Sequence, residues 1–347
     1  MWIRFAFRRY CDGKTQDGLP QVLSYVSTDL KRWQYLGEQW KGDNGSAAGR
    51  RWGPRVECPY QFNIRSHTLL KISAVAFGTD VLFVGQALGN GSRFQGDASG
   101  PPDGIRIDFG DVYAAAILHR PAAGRHVYFG WAKCGYKIDK ATAGFDSALT
   151  LPRDMDVDQS GVPTWEVSAE MAKLRTGPPA VQTDVVLQPN GGAMLLTLPP
   201  GAVGDAVEIR VNFTRRDNDA TLSVETRRTA DGRERATVTF AVDGAAATVA
   251  GPVVETVSRD PASQGTQIRS ATGSLPLGAD GKVSLRVFVD KSVVESHLNA
   301  RRSVSTRFYP LDLTPGTGAF GLRVVNSGAR GPVKIDSVEV WGMRSIY

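Results

Sequence analysis

The chain has 347 residues, 41% of them hydrophobic and 22% charged, which suits a globular protein of about two domains. No stretch is apolar over the ~20 residues that a membrane span needs, and the opening MWIRFAFRRY lacks the apolar core of a signal peptide. The net charge of +6 comes from scattered basic residues without an aromatic-studded stripe, so we expect neither nucleic acid nor a membrane as partner.

In the first half, short apolar runs alternate with Gly, Pro, Asp and Asn, and helix signals are almost absent. This pattern is typical of many short strands joined by turns, and it predicts an all-β sandwich, barrel or propeller. The predicted strands are Gln21–Val26, Thr68–Ala76, Val81–Gln86, Tyr113–Leu118 and His126–Trp131.

The strand-like sequence pattern is interrupted near residues 150–180. There the segment SGVPTWEVSAEMAKLRTGPP has little strand character and contains Pro163 and Pro178. We place a first domain at residues 1–158, a linker at 159–180 with a short helix around Val167–Leu174, and a second domain at 181–347. Long alternating strands in the second domain predict an antiparallel β-sandwich. These strands are Ala206–Phe213, Thr221–Thr226, Ala236–Val242, Val283–Val289, Val304–Tyr309, Phe320–Asn326 and Val333–Trp341.

Cysteines and histidines form no metal-binding pattern. The cysteines Cys11, Cys58 and Cys134 are few, odd in number and without CxxC spacing, and the four histidines stand apart. We therefore expect no metal, no cofactor and no disulfide framework.

The candidate chemistry begins at RVECPYQF, where Glu57 and Cys58 precede a proline. A lone Glu in such a context is usually a surface carboxylate. The segments before and after Glu57 change this interpretation. The segment before it is LSYVSTDLKRWQYLG. The segments after it are, in order, DFGDVYAAAILHR, GRHVYFGWAKCGY, SALTLPRDMDV and LRVFVDKSVVESHLNARRSVSTRFYP.

In that order the segments resemble glycoside hydrolase family 32, the invertases, fructanases and inulinases, and the resemblance covers nearly the whole chain. Glu57-Cys58-Pro59 matches the family's ECP motif. The other matched positions are Tyr25, Ser27, Asp29, Leu30, Trp33, Asp108, Gly110, Tyr113, Ala114, Gly124, Arg125, Gly130, Trp131, Leu151, Pro152, Arg153, Asp154, Phe288, Val289, Asp290, Ser292, Val294, Glu295 and Asn299.

The resemblance implies a five-bladed β-propeller, present here as its later blades, followed by a C-terminal antiparallel β-sandwich. It implies retaining hydrolysis of terminal β-fructofuranosides, with sucrose or a fructan as the small-molecule partner and Glu57 as the acid/base. Cys58, Asp111, Tyr113 and Trp131 become the candidate substrate-binding residues. For Tyr113, packing within a strand is an equally good interpretation. An extracellular or vacuolar location is implied for the full-length protein.

One departure concerns the rest of the catalytic machinery. The family's nucleophile is an Asp in an NDPNG-like motif, and a second Asp lies in an RDP motif. Before Glu57 the sequence offers only Asp12, Asp17, Asp29 and Asp43, none in either context. Without a nucleophile no covalent glycosyl-enzyme forms. We therefore expect a fragment of a longer enzyme, a gene model that starts too late, or a catalytically inactive, carbohydrate-binding relative.

Smaller departures lie beside the motif and in the second domain. Val56 and Tyr60 stand where the family usually has Trp and Asp, and the loss of that Asp removes an acidic partner from the pocket network. In the second domain we expect Asp290 and Glu295, which flank a hairpin, to be structural and not catalytic.

Overall fold

The computed structural model describes residues 2–7, 19–42, 55–89, 91–97, 104–120, 123–133, 147–202, 204–214, 219–229, 233–257, 266–271, 273–308, 321–328 and 331–344. The chain forms two compact units. The blade unit takes its described residues from Met1–Ile107, Val112–Trp131 and Leu151–Glu166, and the sandwich unit takes its own from Asp108–Asp111, Ala132–Thr150 and Val167–Tyr347.

The first half of the chain folds into short antiparallel strands. They are β1 (Trp2–Phe7), β2 (Gln21–Ser27), β3 (Gln34–Lys41), β4 (Val56–Ile64), β5 (His67–Ala74), β6 (Thr79–Leu88), β7 (Arg93–Gly96), β8 (Ile105–Arg106), β9 (Val112–Arg120), β10 (Arg125–Ala132), β11 (Ala148–Leu149), β12 (Arg153–Val157) and β13 (Pro163–Val167). A 3₁₀ turn covers Val75–Phe77. In the blade unit these strands form three successive sheets, β1-β2-β3, β4-β5-β6-β7 with β8 beside β6, and β10-β12-β13 with β9 beside β10.

Each sheet of the blade unit packs face to face on the next, as the blades of a propeller do. Leu69 of β5 lies in a core shared with Tyr128 and Trp165 of the third sheet. Its neighbour Leu70 points to the opposite face, into a core shared with Val22 of the first sheet. The middle sheet is thus buried on both faces, which explains why every residue of β5 after His67 is buried and no alternation of buried and exposed positions appears.

The second half of the chain forms longer strands. They are β14 (Ala180–Leu187), β15 (Gly192–Leu196), β16 (Ala206–Thr214), β17 (Ala220–Arg228), β18 (Arg235–Asp243), β19 (Thr248–Val257), β20 (Thr266–Ser270), β21 (Ser274–Pro276), β22 (Lys282–Asp290), β23 (Val293–Leu298), β24 (Arg302–Arg307), β25 (Gly321–Asn326) and β26 (Val333–Gly342). One sheet has the order β14-β26-β16-β22-β23-β24, and the other has the order β15-β25-β17-β18-β19-β20 with β21 beside β19.

A single apolar core joins the two sheets of the sandwich unit. Ile209 and Val287 enter it from the first sheet, and Val224, Val238 and Val254 enter it from the second. All five are completely buried. In β18, β19 and β22, buried positions alternate with more exposed ones over most of the length, as expected for antiparallel sheets that face a core on one side. The predicted all-β class, with propeller blades followed by a sandwich, is confirmed.

The segment predicted as a linker, residues 159–180, differs from the expectation. Pro163–Val167 forms β13, which pairs with β12, and Trp165 is completely buried. Pro163 is compatible with this strand because it is the first residue, where a missing N–H group is tolerated. A 3₁₀ helix over Ala169–Leu174 follows, close to the predicted short helix. Among the described residues, no helix has the length and apolar character needed to cross a membrane.

Candidate active site

Glu57 lies at a β-bulge near the start of β4. The pairing of β4 with β5 is regular at Glu57 and again from Tyr60 onward, and the register shifts between them. Cys58 adopts a left-handed conformation with φ of 47°, and Pro59 has no N–H group to offer the ladder. A bulge bends its strand and re-aims the neighbouring side chains. The ECP tripeptide therefore folds into the irregularity that sets the direction of Glu57.

Both carboxylate oxygens of Glu57 accept hydrogen bonds. The hydroxyl of Tyr113 donates to Oε2 at 2.9 Å. The guanidinium of Arg55 forms an ion pair with Oε1. The side chain of Glu57 keeps 21% of its surface exposed, so the carboxyl is held by protein groups and still reaches solvent. This combination suits a group that exchanges a proton with a bound molecule.

Tyr113 is the second residue of β9, and Ala114 after it has a left-handed φ of 53°. Burial raises the pKa of Tyr113 well above its ordinary value, and the hydrogen bond and negative charge of Glu57 raise it further. The phenol therefore keeps its proton across the neutral range and remains a donor to Glu57.

The other three predicted site residues, Cys58, Trp131 and Asp111, lie in different environments. Cys58 is a half-buried free cysteine directly after Glu57. Trp131 lies near the end of β10 and is 42% exposed. Asp111 belongs to the sandwich unit, where its carboxylate accepts hydrogen bonds from Arg269 and Thr306, both at 2.8 Å. The structure thus brings Glu57, Cys58 and Tyr113 together, and it shows Asp111 hydrogen-bonded within the sandwich unit.

Sequence reasoning missed three charged residues around Glu57. Arg55 contacts it directly. Lys71 and Asp80 form a completely buried ion pair on β5 and β6. The available signal was a lone Lys within the apolar run LLKISA, because a lysine is almost never fully buried unless it is paired.

The part of the chain that the structure describes contains no candidate metal-binding site. No group of three or more His, Cys, Asp or Glu side chains there is arranged to hold a metal ion. Cys11 and Cys134 lie outside the described residues, so the expectation for the cysteines concerns Cys58 alone.

Asp290 and Glu295, expected to be structural, lie on the paired strands β22 and β23 of the sandwich unit. The carboxylate of Glu295 is buried and accepts a 3.4 Å hydrogen bond from Ser305. The single hydroxyl hydrogen of Ser305 is shared with Asp108, whose Oδ2 is the nearer acceptor at 2.7 Å, so these groups form one buried polar network within that unit.

Two family models match the chain. The model described as "Glycosyl hydrolases family 32 N-terminal domain" matches residues 9–164. The model described as "Glycosyl hydrolases family 32 C terminal" matches residues 170–342.

Curated relatives agree with these matches. A "Beta-fructofuranosidase, insoluble isoenzyme 2" from Oryza sativa subsp. indica is 26% identical over 283 residues, covering 72% of this chain and 47% of the relative. A "Levanase" from Bacillus subtilis is 25% identical over 352 residues, covering 94% of this chain and 47% of the relative. The chain therefore spans about half the length of the curated relatives it matches.

Solved structures share the fold. Fructan 1-exohydrolase IIa from Cichorium intybus superposes with a TM-score of 0.73 at 17% identity, covering 95% of this chain and 68% of that one. An exo-inulinase from Aspergillus awamori gives a TM-score of 0.73 at 20% identity, covering 95% and 64%. These matches establish the fold.

Proposed function

Because the chain belongs to glycoside hydrolase family 32, we propose that it supplies the acid/base side of a site that hydrolyses terminal β-fructofuranosides with retention. Glu57 is the group that gives a proton to the leaving oxygen and later takes one from water. The observation that carries this proposal is the Glu57 carboxylate at the β4 bulge, bound through Oε2 by the Tyr113 hydroxyl at 2.9 Å.

The Tyr113 contact supports both halves of such a cycle. When Glu57 is ionised, the phenol donates to it, as in the structure. When Glu57 is protonated, the same hydroxyl oxygen can accept a hydrogen bond, because a phenol is both donor and acceptor. Tyr113 can therefore hold the carboxyl in one orientation while its charge changes, which general acid/base catalysis requires.

The proposed substrates are sucrose or fructans. The curated relatives are named β-fructofuranosidases and a levanase, and one structural neighbour of the same fold was solved in complex with 1-kestose. Cys58 and Trp131 remain proposed contacts of the sugar, because a thiol and an indole ring offer apolar surface to it. Asp111 remains a proposal with less support, since Arg269 and Thr306 occupy its carboxylate.

A second candidate function is carbohydrate binding without turnover. It is favoured by one observation, which is that no Asp before Glu57 stands in an NDPNG-like or RDP context. General acid catalysis alone contributes a factor of only about 10²–10⁴, and a retaining mechanism needs a nucleophile as well.

The experiment compares sucrose and inulin hydrolysis by the wild-type chain, Glu57→Gln and Asp156→Asn. Asp156 is a matched control because it is an ion-paired carboxylate of the same unit, half exposed and bound to Arg65. We expect turnover to fall about 10²–10⁴-fold in Glu57→Gln and to be unchanged in Asp156→Asn. Sugar binding by calorimetry without any wild-type turnover would instead support the binding function and overturn hydrolysis by this chain.

A further inference from the structure

A buried ion pair joins two strands of the middle sheet in the blade unit. Lys71 on β5 and Asp80 on β6 are essentially inaccessible to solvent, and Nζ lies 2.8 Å from Oδ1. Ser73 bridges them, since its hydroxyl accepts from Lys71 at 2.8 Å and donates to Asp80 at 2.5 Å. A buried pair of this kind is often no more stabilising than apolar residues of similar volume. Its presence therefore calls for a reason other than stability.

Both members of the pair also form hydrogen bonds with the main chain of Ala115. Lys71 Nζ donates to the carbonyl of Ala115 at 2.7 Å. Asp80 Oδ2 accepts from the N–H of the same residue at 3.1 Å. Ala115 follows the left-handed Ala114, two positions after Tyr113. Since Ala114 interrupts the regular strand conformation, the two charged side chains act here as the partners of the backbone.

The ammonium group of Lys71 also contacts the second irregular segment, the bulge in β4. Lys71 Nζ lies 3.4 Å from the carbonyl oxygen of Cys58, the left-handed residue of the bulge that follows Glu57. This contact is longer than the one to Ala115, so it is the weaker of the two. β4 and β9 belong to different sheets, and one buried ion pair thus binds backbone groups in both.

We infer that Lys71 and Asp80 are positioning residues, which hold the two backbone irregularities at the spacing where the Tyr113 hydroxyl reaches Glu57 Oε2. Neither residue touches the proposed substrate. Their catalytic meaning rests on the proposed function of Glu57, but their effect on the backbone does not. Misplacing a reacting group by about 1 Å can cost about 10²-fold in rate, so small shifts of either irregularity matter.

The test replaces both charges together, as Lys71→Met with Asp80→Leu. A single replacement would leave one buried charge unpaired and endanger folding. The milder Asp80→Asn keeps the shape of the side chain and serves if the double variant does not fold. Ile72→Ala is the matched control, because Ile72 lies between Lys71 and Ser73 on β5 and is equally buried, yet packs in the core shared with Val56 and Leu70.

The first readout is the rate at which the Cys58 thiol reacts with a soluble disulfide reagent, in a background with Cys11 and Cys134 replaced by serine. Loosening of the bulge admits the reagent, so we expect the rate to rise about tenfold or more in the double variant and less in Asp80→Asn. Equal rates in the double variant, the Ile72→Ala control and the wild type would overturn the inference.

The second readout is hydrolysis of sucrose or inulin. We expect kcat to fall about 10²-fold in the double variant with KM little changed, and the Ile72→Ala control to keep its kcat. The two proposals fail separately. If Glu57→Gln leaves turnover intact while the double variant exposes Cys58, the acid/base role is wrong and the positioning role stands. If Cys58 and kcat are both unaffected by the double variant, the positioning role is wrong.

Discussion

Both units bury charges, but they use them differently. In the sandwich unit, Glu208 is completely buried on β16 and forms ion pairs with Arg175 and Arg286 at 2.9 Å each. All nine residues of β16 pair with β22 in an unbroken register. In the blade unit, the buried pair binds the main chain where the strands are irregular. The Glu208 cluster connects strands of a regular ladder, whereas the Lys71–Asp80 pair extends from the regular β5–β6 ladder to backbone groups of Cys58 and Ala115, at the two irregular segments beside Glu57 and Tyr113.

The charges around Glu208 determine its protonation in the folded state. Burial alone would raise the pKa of Glu208, but the hydrogen bonds and charges of Arg175 and Arg286 outweigh burial and lower it. Arg175 also stacks on Trp341, with its guanidinium 3.8 Å from the ring centroid. The cluster therefore connects β16 and β22 with the final strand, β26, and with the residue that follows the 3₁₀ helix.

The largest effect is expected from Glu208→Gln, which tests whether the sandwich cluster is structural. Arg175 and Arg286 lose their counter-charge, and breaking a buried pair in this way costs about 3–5 kcal/mol. Urea unfolding followed by circular dichroism measures the change. Lys282→Gln is the control, because its ion pair with Asp280 is exposed and contributes about 0.2–1 kcal/mol. Equal losses in the two variants would contradict the comparison.

Gly110→Ala tests the segment Asp108–Asp111, which lies within the predicted first domain, residues 1–158, but belongs to the sandwich unit. A Cβ at Gly110 would lie 1.8 Å from the carbonyl oxygen of Ser305, so the backbone must shift. We expect a loss of about 1–3 kcal/mol in the free energy of unfolding, as for other overpacked sites. Gly177→Ala is the control, since nothing lies within 4 Å of its Cβ position. A wild-type melting temperature in Gly110→Ala would show that the segment does not pack there.

Acid should weaken the sandwich unit through Glu208. A carboxyl whose pKa is lower in the folded state stabilises the protein above the unfolded pKa, and this contribution is lost as the pH falls through the folded pKa. The window therefore begins near the ordinary value of 4.5 and extends below it. Urea midpoints measured from pH 7 downward should fall in this window. The decline should be shallower in Glu208→Gln, and an identical decline would assign the effect to other groups.

The smallest effect is expected in the blade unit, on the titration of Tyr113 beside Glu57. Glu57→Gln removes a negative charge beside Tyr113, so the pKa of Tyr113 should fall, while its burial keeps it above the ordinary value. The near-ultraviolet absorbance of phenolate follows this titration, with Glu57→Gln/Tyr113→Phe identifying the responsible residue. Asp156→Asn should leave the curve unchanged. An unaltered curve in Glu57→Gln would mean that the Tyr113–Glu57 contact is not maintained in solution.

Much of the sandwich unit could be predicted from the sequence because its signal is local. The strand predicted at Val283–Val289 is observed at Lys282–Asp290, with buried residues at alternate positions over most of its length. Side chains of a strand point alternately to its two faces, so a one-sided core leaves its period in the sequence. In the blade unit β13 was missed although its buried residues also alternate, because it is only five residues long and begins with Pro163, which the sequence pattern marks as a break between elements.

The sequence by itself determined the all-β class, most strand positions and, through the ordered motifs, Glu57 as the candidate acid/base. Only the tertiary structure decided that Tyr113 reaches Glu57, that Asp111 is engaged by Arg269 and Thr306, and that Lys71 pairs with Asp80. The physical reason is distance along the chain, since 56 residues separate Tyr113 from Glu57 and 158 separate Asp111 from Arg269. Periodicity is set by neighbours in sequence, whereas the partner of a bulged or buried polar group is set by which strands the fold brings together.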